Sequence, residues 1–267
     1  MGEYINKYAN SAAIQNAVDG GELIKPYVAL DESTGLIDWN SKSETDWSTV
    51  PLTFEILSDG RIQMYTNTIT NPEYKLNNGE WTTFRTSGSY YQLNGLKTGD
   101  EVQIRASGWN FGSYNQLTCS SIFNLKGNIM SLINPTDFHN ITTVGGYAFA
   151  YIFRDCTGLT DASELVLPAT TLAQSCYSDM FSGCTSLTQA PELPATTLGK
   201  YCYSYMFEGC SNLNYIKCLA TDISASDCTA NWVRGVQTSS GTFVTPSSTA
   251  WSTGTSGIPS GWTRVDA

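Results

Sequence analysis

Residues 176–199 read CYSDMFSGCTSLTQAPELPATTLG, and a shortened copy, CYSYMFEGCSNL, begins at Cys202. The copies align with a constant offset of 26 residues, which relates Phe181 to Phe207 (207 − 181 = 26). A repeat this short cannot bury its apolar face alone, so successive copies must stack and share one core. The sequence therefore predicts a repeat array in which each copy forms one turn.

The register extends in both directions from these two copies. Upstream, Phe153 aligns with Phe181 at a spacing of 28 (181 − 153 = 28), and we place the two additional residues in a loop insertion within 163–167. Downstream, Val233 continues the register before the pattern decays. The array is therefore predicted to span residues 147–236.

Three kinds of position recur in the copies. Large apolar residues are predicted to face inward as columns along the array, namely Met180, Phe181, Met206, Phe207, Leu187, Leu213, Leu172 and Leu198. Glycine recurs after the Phe position, where a positive φ is most easily adopted by glycine, at Gly183, Gly209 and Gly235. The run LPATTL, at Leu167 and again at Leu193, predicts one short strand per turn, because a proline at a strand start removes no ladder hydrogen bond that matters.

Six of the eight cysteines fall into two columns of the repeat. One column holds Cys156, Cys184 and Cys210, and the other holds Cys176, Cys202 and Cys228. Parallel side chains on adjacent turns suit the disulfide dihedral poorly, and three cysteines cannot pair off completely. A zinc site is the alternative, but the chain has no CxxC pair and one histidine, His139. We therefore predict buried free thiols, and neither a metal nor a cofactor.

The repeat unit resembles the BspA-like leucine-rich repeat, found in surface proteins of gut anaerobes and their phages. FNLKGNIMSLI at Phe123 and the ending from CLATDIS at Cys218 through GIPSGW at Gly257 resemble segments that accompany such repeats in proteins of Bacteroides and their crAss-like phages. The resemblance covers about half of the chain. It implies a right-handed β-solenoid with a C-terminal cap over residues 119–267.

Composition narrows the class of protein. The 267 residues include 14 Lys and Arg against 24 Asp and Glu, a net charge of 14 − 24 = −10, which repels a phosphate backbone and disfavours nucleic acid as a partner. No apolar run approaches the roughly 20 residues of a membrane span, so we expect no membrane insertion. The opening MGEYINKYANSAAI lacks the basic start and apolar centre of a secretory signal, so export by that route is not expected.

Residues 1–45 form a predicted N-terminal anchor arm that is both acidic and apolar. INKYANSAAIQNAV predicts a short helix, and KPYVAL with GLIDWN predicts a small hairpin. Its opening resembles head-fibre or decoration proteins of the same phages. Because the arm is too small to hold a core of its own, we expect it to dock on a capsid or other virion protein. The candidate anchor residues are Ile5, Tyr8, Ile14, Tyr27, Val28 and Trp39.

Residues 51–118 are predicted to form a small antiparallel β-sandwich. EVQIRA at Glu101 alternates apolar and polar residues without error, which is typical of a half-buried strand. Asp59-Gly60 and Asn78-Gly79 predict hairpin turns. The aromatic residues of this domain suit either a sugar platform or the half-buried core of a sandwich, and they are Tyr90, Tyr91, Trp81 and Trp109.

The overall prediction is a mainly β protein with three parts: the anchor arm, the β-sandwich and the repeat solenoid. No catalytic motif surrounds His139, so we expect a non-enzymatic protein with no catalytic residues. Residues that recur in the array could contact a host-surface glycan or serve the core, and they are Tyr177, Tyr203, Tyr205, Thr171 and Thr197.

Two functions fit this prediction. The first is a phage virion protein, a trimeric head fibre or capsid decoration protein at the virion surface that is anchored by residues 1–45. A phage tail appendage is a variant of it. The second is a BspA-like adhesin on the bacterial cell surface. The missing export signal favours the virion protein.

Overall fold

The computed structural model describes residues 29–31, 36–38, 45–67, 69–109, 116–236 and 239–267. Over these residues the protein is mainly β, as predicted, and its helical content is confined to 3-10 turns at Trp47–Thr49, Ile129–Leu132 and Phe138–Asn140. The chain divides into two compact units, Met1–Asp46 and Trp47–Ala267.

The strands of the described residues are short. In chain order they are β1 (Ala29–Asp31), β2 (Leu36–Asp38), β3 (Leu52–Ile56), β4 (Gly60–Tyr65), β5 (Ile69–Thr70), β6 (Glu73–Leu76), β7 (Thr82–Thr83), β8 (Arg85–Ser87), β9 (Tyr90–Leu96), β10 (Glu101–Arg105), β11 (Gly108–Trp109), β12 (Leu117–Cys119), β13 (Phe123–Asn128), β14 (Thr143–Val144), β15 (Leu159–Val166), β16 (Thr171–Leu172), β17 (Tyr215–Lys217), β18 (Thr242–Thr245) and β19 (Thr263–Asp266).

In the first unit, β1 and β2 pair in antiparallel fashion, with Leu30 opposite Ile37. This pairing confirms the small hairpin predicted from KPYVAL and GLIDWN. The helix predicted upstream lies outside the described residues.

The second unit begins with two sheets whose strands pair in antiparallel fashion, except for the parallel pair β13 and β15. One has the order β15-β13-β3-β10-β6-β7 and the other has the order β12-β4-β9-β8. The alternation of β10 is confirmed, because Val102 and Ile104 are fully buried while Glu101 is exposed. Buried side chains of both sheets, such as Phe54 and Ile62, belong to one core cluster.

Only one of the two predicted hairpin turns joins paired strands. Asn78 and Gly79 connect β6 to β7, which pair in antiparallel fashion. Asp59 and Gly60, in contrast, connect β3 in one sheet to β4 in the other, so the predicted hairpin there is wrong. The turn changes sheets where the backbone passes tightly against residue 121: a Cβ on Gly60 would lie 2.9 Å from the Ser121 backbone nitrogen.

Strand β13 joins the antiparallel sheet to the repeats. It pairs in antiparallel fashion with β3 on one side and in parallel fashion with β15 on the other. The boundary predicted between residues 118 and 119 falls within β12, which belongs to the four-stranded sheet. The two predicted domains therefore share continuous β structure.

The two additional residues of the first repeat extend a strand. We predicted a loop insertion within 163–167, but β15 continues through Val166 and pairs with the end of β13. The reason is the partner strand: Glu164 lies opposite Lys126, and their side chains form an ion pair at 3.4 Å. The following repeats keep single bridges at the equivalent place, Asp161 with Gln189 and Gln189 with Tyr215.

The predicted LPATTL strands are shorter than the motif. In the first copy only Thr171 and Leu172 form a strand, β16. In the second copy Thr197 forms isolated parallel bridges to Thr171 and Asp222, and Leu193 forms one to Cys218. The remaining residues of the motif supply buried side chains, including Leu167 and Leu193.

Each repeat also contains a run of consecutive turns, which we call a turn run. The turn runs are residues 147–156, 175–184, 201–210 and 227–236. Within a turn run, every second N–H group donates to the carbonyl three residues earlier, and in the first three runs the N–H groups between them donate to the next repeat. Phe181 N, for example, donates to Met206 O at 2.9 Å, and Phe207 N donates to Trp232 O at 2.8 Å. Successive repeats are thus joined through their backbones.

Every fourth residue of a turn run has a positive φ. In the third run these residues are Tyr201, Tyr205 and Gly209, with φ of 56°, 55° and 72°. Glycine occupies the last of these positions in three runs, at Gly183, Gly209 and Gly235, which confirms the predicted glycine corners. Tyrosine, serine, aspartate and asparagine occupy the others. A side chain makes this conformation costly, so the inter-run hydrogen bonds must hold it in place.

Candidate functional site

Two columns of stacked rings fill the interior of the repeats. Phe153, Phe181 and Phe207 follow one another with ring centroids 5.7 Å apart at each step. A second column, formed by Phe149, Tyr177 and Tyr203, has centroids 6.1 Å apart. The apolar columns predicted from the sequence are therefore confirmed as buried.

Both ring columns end on one tryptophan. The ring centroid of Trp232 lies 6.3 Å from that of Tyr203 and 6.1 Å from that of Phe207. Its indole nitrogen donates a hydrogen bond to Gly257 O at 2.8 Å. Trp251 also stacks on Trp232, with ring centroids 5.4 Å apart. The sequence alignment placed Val233 in register with Phe207, so the role of Trp232 in closing both columns was missed. The large size of Trp232 and its place where the repeat pattern decays were signals that the sequence offered.

All eight cysteines are buried and free. Their thiols contribute to the contact between repeats, since Cys184 Sγ donates to Phe153 O and Cys210 Sγ donates to Phe181 O, each at 3.1 Å. Burial raises the pKa of Cys156 and of Cys176 to about 12, and that of Cys184 well above its ordinary value. Thiols in this state are neutral and unreactive near neutral pH.

The predicted surface-binding residues separate into two groups. Tyr177 and Tyr203 are each 1% exposed and belong to the ring column, so a surface ligand cannot reach them. They are buried because their rings stack between Phe149 and Trp232. This result corrects the surface-binding hypothesis for both tyrosines.

The other three candidates reach the surface, on different segments. Thr171 and Thr197 are exposed and lie side by side through their parallel bridge. Tyr205 is half-buried in the third turn run, with the Arg234 guanidinium 5.5 Å from its ring centre. Arg234 is itself held by an ion pair with Glu208. The structure therefore leaves the two threonines as an exposed pair and places a cation against Tyr205.

Most of the aromatic residues singled out in the predicted β-sandwich are packed against other parts of the protein. Trp109 is buried, Tyr91 packs against the core, and Trp81 lies under the Arg105 guanidinium at 4.0 Å. Tyr90 differs, because its ring meets that of Tyr65 at 4.4 Å on the outside of the four-stranded sheet.

Tyr65 was missed in the sequence analysis. It is 40% exposed, and its hydrogen bond with Tyr90 raises the pKa of the Tyr90 hydroxyl. The alternation of β4, in which Ile62 and Met64 are buried, was the signal that Tyr65 faces outward.

Several predicted features are not brought together as a site. The anchor candidates Ile5, Tyr8, Ile14, Tyr27, Val28 and Trp39 lie outside the described residues. Within the residues that the structure does describe, no group of three or more His, Cys, Asp or Glu side chains is arranged to hold a metal ion. The same residues include no helix that is long and apolar enough to cross a membrane.

No protein-family model, curated protein or solved structure matches the chain.

Proposed function

We propose that this chain is a non-enzymatic display protein of a phage virion, a head fibre or capsid decoration protein that its N-terminal arm attaches to the particle. In this proposal residues 119–267 form a β-solenoid of the BspA-like leucine-rich-repeat type with a C-terminal cap. The phage location and the repeat family rest on the sequence resemblance. The display role rests on the architecture of the second unit.

The observation that carries the display role is the continuity between the antiparallel sheet and the repeats. Strand β13 pairs with β3 on one side and β15 on the other, so ladder hydrogen bonds run from the sandwich into the array. Inter-domain interfaces without such pairing allow relative motion by default. A protein that must hold a binding surface at a fixed position gains from a connection of this kind.

The stacking of the repeats supports the solenoid. Parallel bridges at a spacing of 26 residues join Gln189 to Tyr215 and Thr171 to Thr197 (215 − 189 = 26; 197 − 171 = 26). The ring and thiol columns follow the same spacing. Each repeat contacts mainly its neighbours, which is the defining arrangement of solenoid proteins.

Peptide identification from purified particles tests the proposal. Virions are banded in a density gradient, treated with protease to remove adhering host protein, and analysed by mass spectrometry. We expect peptides of this chain in the particle band at a fixed ratio to the major capsid protein, and a mass of three chains by analytical ultracentrifugation of the pure protein. Recovery of the chain only from the host envelope would instead support the BspA-like adhesin.

A further inference from the structure

The outward face of the four-stranded sheet β12-β4-β9-β8 combines an aromatic pair with hydrogen-bonding side chains. Ile62 and Met64 of β4 are buried. Gln63, which lies between them, and Tyr65, which follows Met64, therefore point to the opposite face of the sheet. Tyr65 lies opposite Tyr90 of β9 in the antiparallel register. Their rings meet at 4.4 Å with an interplanar angle of 34°.

Strand pairing aligns a row of polar side chains beside this tyrosine pair. The row takes one residue from each strand, in the order Thr118, Gln63, Gln92 and Arg85. Adjacent strands lie about 4.8 Å apart, so the row is about 14 Å long. That length accommodates more than one sugar ring. Arg61 and Asn94 form a further pair on the other side of the row.

The charge of this face is opposite to that of the chain. The four strands contain no aspartate or glutamate, although the chain has 24 acidic residues and a net charge of −10. They do contain Arg61 and Arg85, both exposed, and neither guanidinium forms an ion pair with a carboxylate of the described residues. Two unpaired guanidinium groups beside planar amides and exposed rings complement a ligand that is hydroxylated and negatively charged.

We propose that this face binds an acidic polysaccharide. A sugar ring stacks on Tyr65 and Tyr90, the amides of the central row hydrogen-bond to hydroxyl groups, and the guanidinium groups of Arg61 and Arg85 hold carboxylate or sulfate groups. The inference extends the display role and rests on it, because the display role is what places the polysaccharide at the host surface. Of the two places where the sequence allows a glycan contact, it selects the predicted β-sandwich rather than the repeats.

The full-length protein is tested against polygalacturonate, hyaluronan and chondroitin sulfate by affinity electrophoresis, with fully methyl-esterified polygalacturonate as the neutral control. The net charge of the protein opposes general attraction to acidic polymers, so retardation reports a local site. We expect retardation by at least one acidic polymer, reversed by high salt, and none by the esterified polymer. Binding to none of the three acidic polymers, or equal binding to the esterified one, would overturn the proposal.

Variants locate the site on the sheet. Arg85→Gln and Tyr65→Ala should each weaken binding about tenfold, whereas Tyr65→Phe, which keeps the ring, should retain most of it. Arg264→Gln, a matched change at an exposed arginine of β19, should bind as the wild type does. Unchanged binding by both Arg85→Gln and Tyr65→Ala would contradict the assignment. Because the assay uses pure protein, its failure is distinguishable from failure to find the chain in virions.

Discussion

The thiol of Cys184 donates to the carbonyl oxygen of Phe153, one repeat earlier, at 3.1 Å. The same oxygen accepts from the backbone N–H of Cys156 at 3.2 Å, so it closes a turn in its own repeat and contacts the next one. A cysteine at this position is small enough to fit between turns and still supplies a weak donor. This relationship explains a cysteine column without a disulfide or a metal.

Alkaline pH is expected to destabilise the fold through these thiols. Burial raises the pKa of Cys156, Cys176 and Cys218 to about 12, from an ordinary value of 9.0. Their contribution to stability is therefore complete below pH 9 and is lost as the pH rises to 12, because only the unfolded chain ionises in that interval. Each such thiol should lower the free energy of unfolding by up to about 1.4 kcal/mol per pH unit.

Urea unfolding at pH 8, 9.5 and 10.5 measures this effect, and Cys156→Ala is the matched variant. It should show a smaller loss of stability between pH 9.5 and 10.5 than the wild type does. Identical pH dependence in the two proteins would contradict the burial of the Cys156 thiol.

Tyr177→Phe should stabilise the protein by about 1 kcal/mol. The Tyr177 hydroxyl is buried, and it has no hydrogen-bond partner in the described structure, so removing it relieves a desolvation cost. Phe149 stands at the equivalent place in the preceding repeat, and Phe149→Tyr should have the opposite effect. Both are measured by chemical denaturation. Destabilisation by Tyr177→Phe would show that the hydroxyl has a partner.

Phe181→Ala should destabilise the array by about 3–5 kcal/mol, because the ring is fully buried between Phe153 and Phe207. Val236→Ala, near the end of the repeats where the side chain is half-buried, should cost less than 1 kcal/mol. Equal costs in equilibrium unfolding would mean that the repeats do not share a continuous core.

Two glycine substitutions distinguish backbone strain from steric clash. Gly209 has a φ of 72°, and an added Cβ would meet nothing closer than 3.7 Å, so Gly209→Ala should cost about 1 kcal/mol from strain alone. Gly199 has no positive φ, but an added Cβ would lie 2.2 Å from Leu172 O. Gly199→Ala must therefore push two repeats apart, which should lower the free energy of unfolding by about 3 kcal/mol. Thermal unfolding compares the two, and a larger cost at Gly209 would reverse this explanation.

Much of the repeat could be predicted from the sequence because its signals are local and periodic. The spacing of Phe181 and Phe207 gives the stacking register, and the glycine after each Phe position gives the corner. The other positive-φ residues could not be found in this way, because Tyr201 and Tyr205 have no local preference for that conformation. They adopt it because neighbouring repeats hold their N–H groups.

The remaining wrong predictions concern the order in which strands pair within the sheets. Asp59-Gly60 has the composition of a hairpin turn, and only the long-range pairing of β3 with β13 shows that the chain changes sheets there. The pairing of β15 with β13 likewise converts a predicted loop into a strand. Tyr177 and Tyr203 recur at a spacing that surface residues could share, but Tyr177 stacks on Tyr203 and Tyr203 stacks on Trp232, which replaces the methionine of the preceding copy (232 − 206 = 26).

Deletion of residues 1–46 tests the central claim that the N-terminal unit attaches the protein and that the second unit folds and displays independently. The full-length chain and the 47–267 chain, each tagged at the C-terminus, are expressed during phage assembly and quantified in purified particles by mass spectrometry. Cooperative urea unfolding of the 47–267 chain verifies that it is folded. We expect a folded 47–267 chain that is absent from particles in which the full-length chain is present. Incorporation of the 47–267 chain at the full-length level would show that the N-terminal unit is not the attachment point, and its failure to fold would show that the second unit depends on the first.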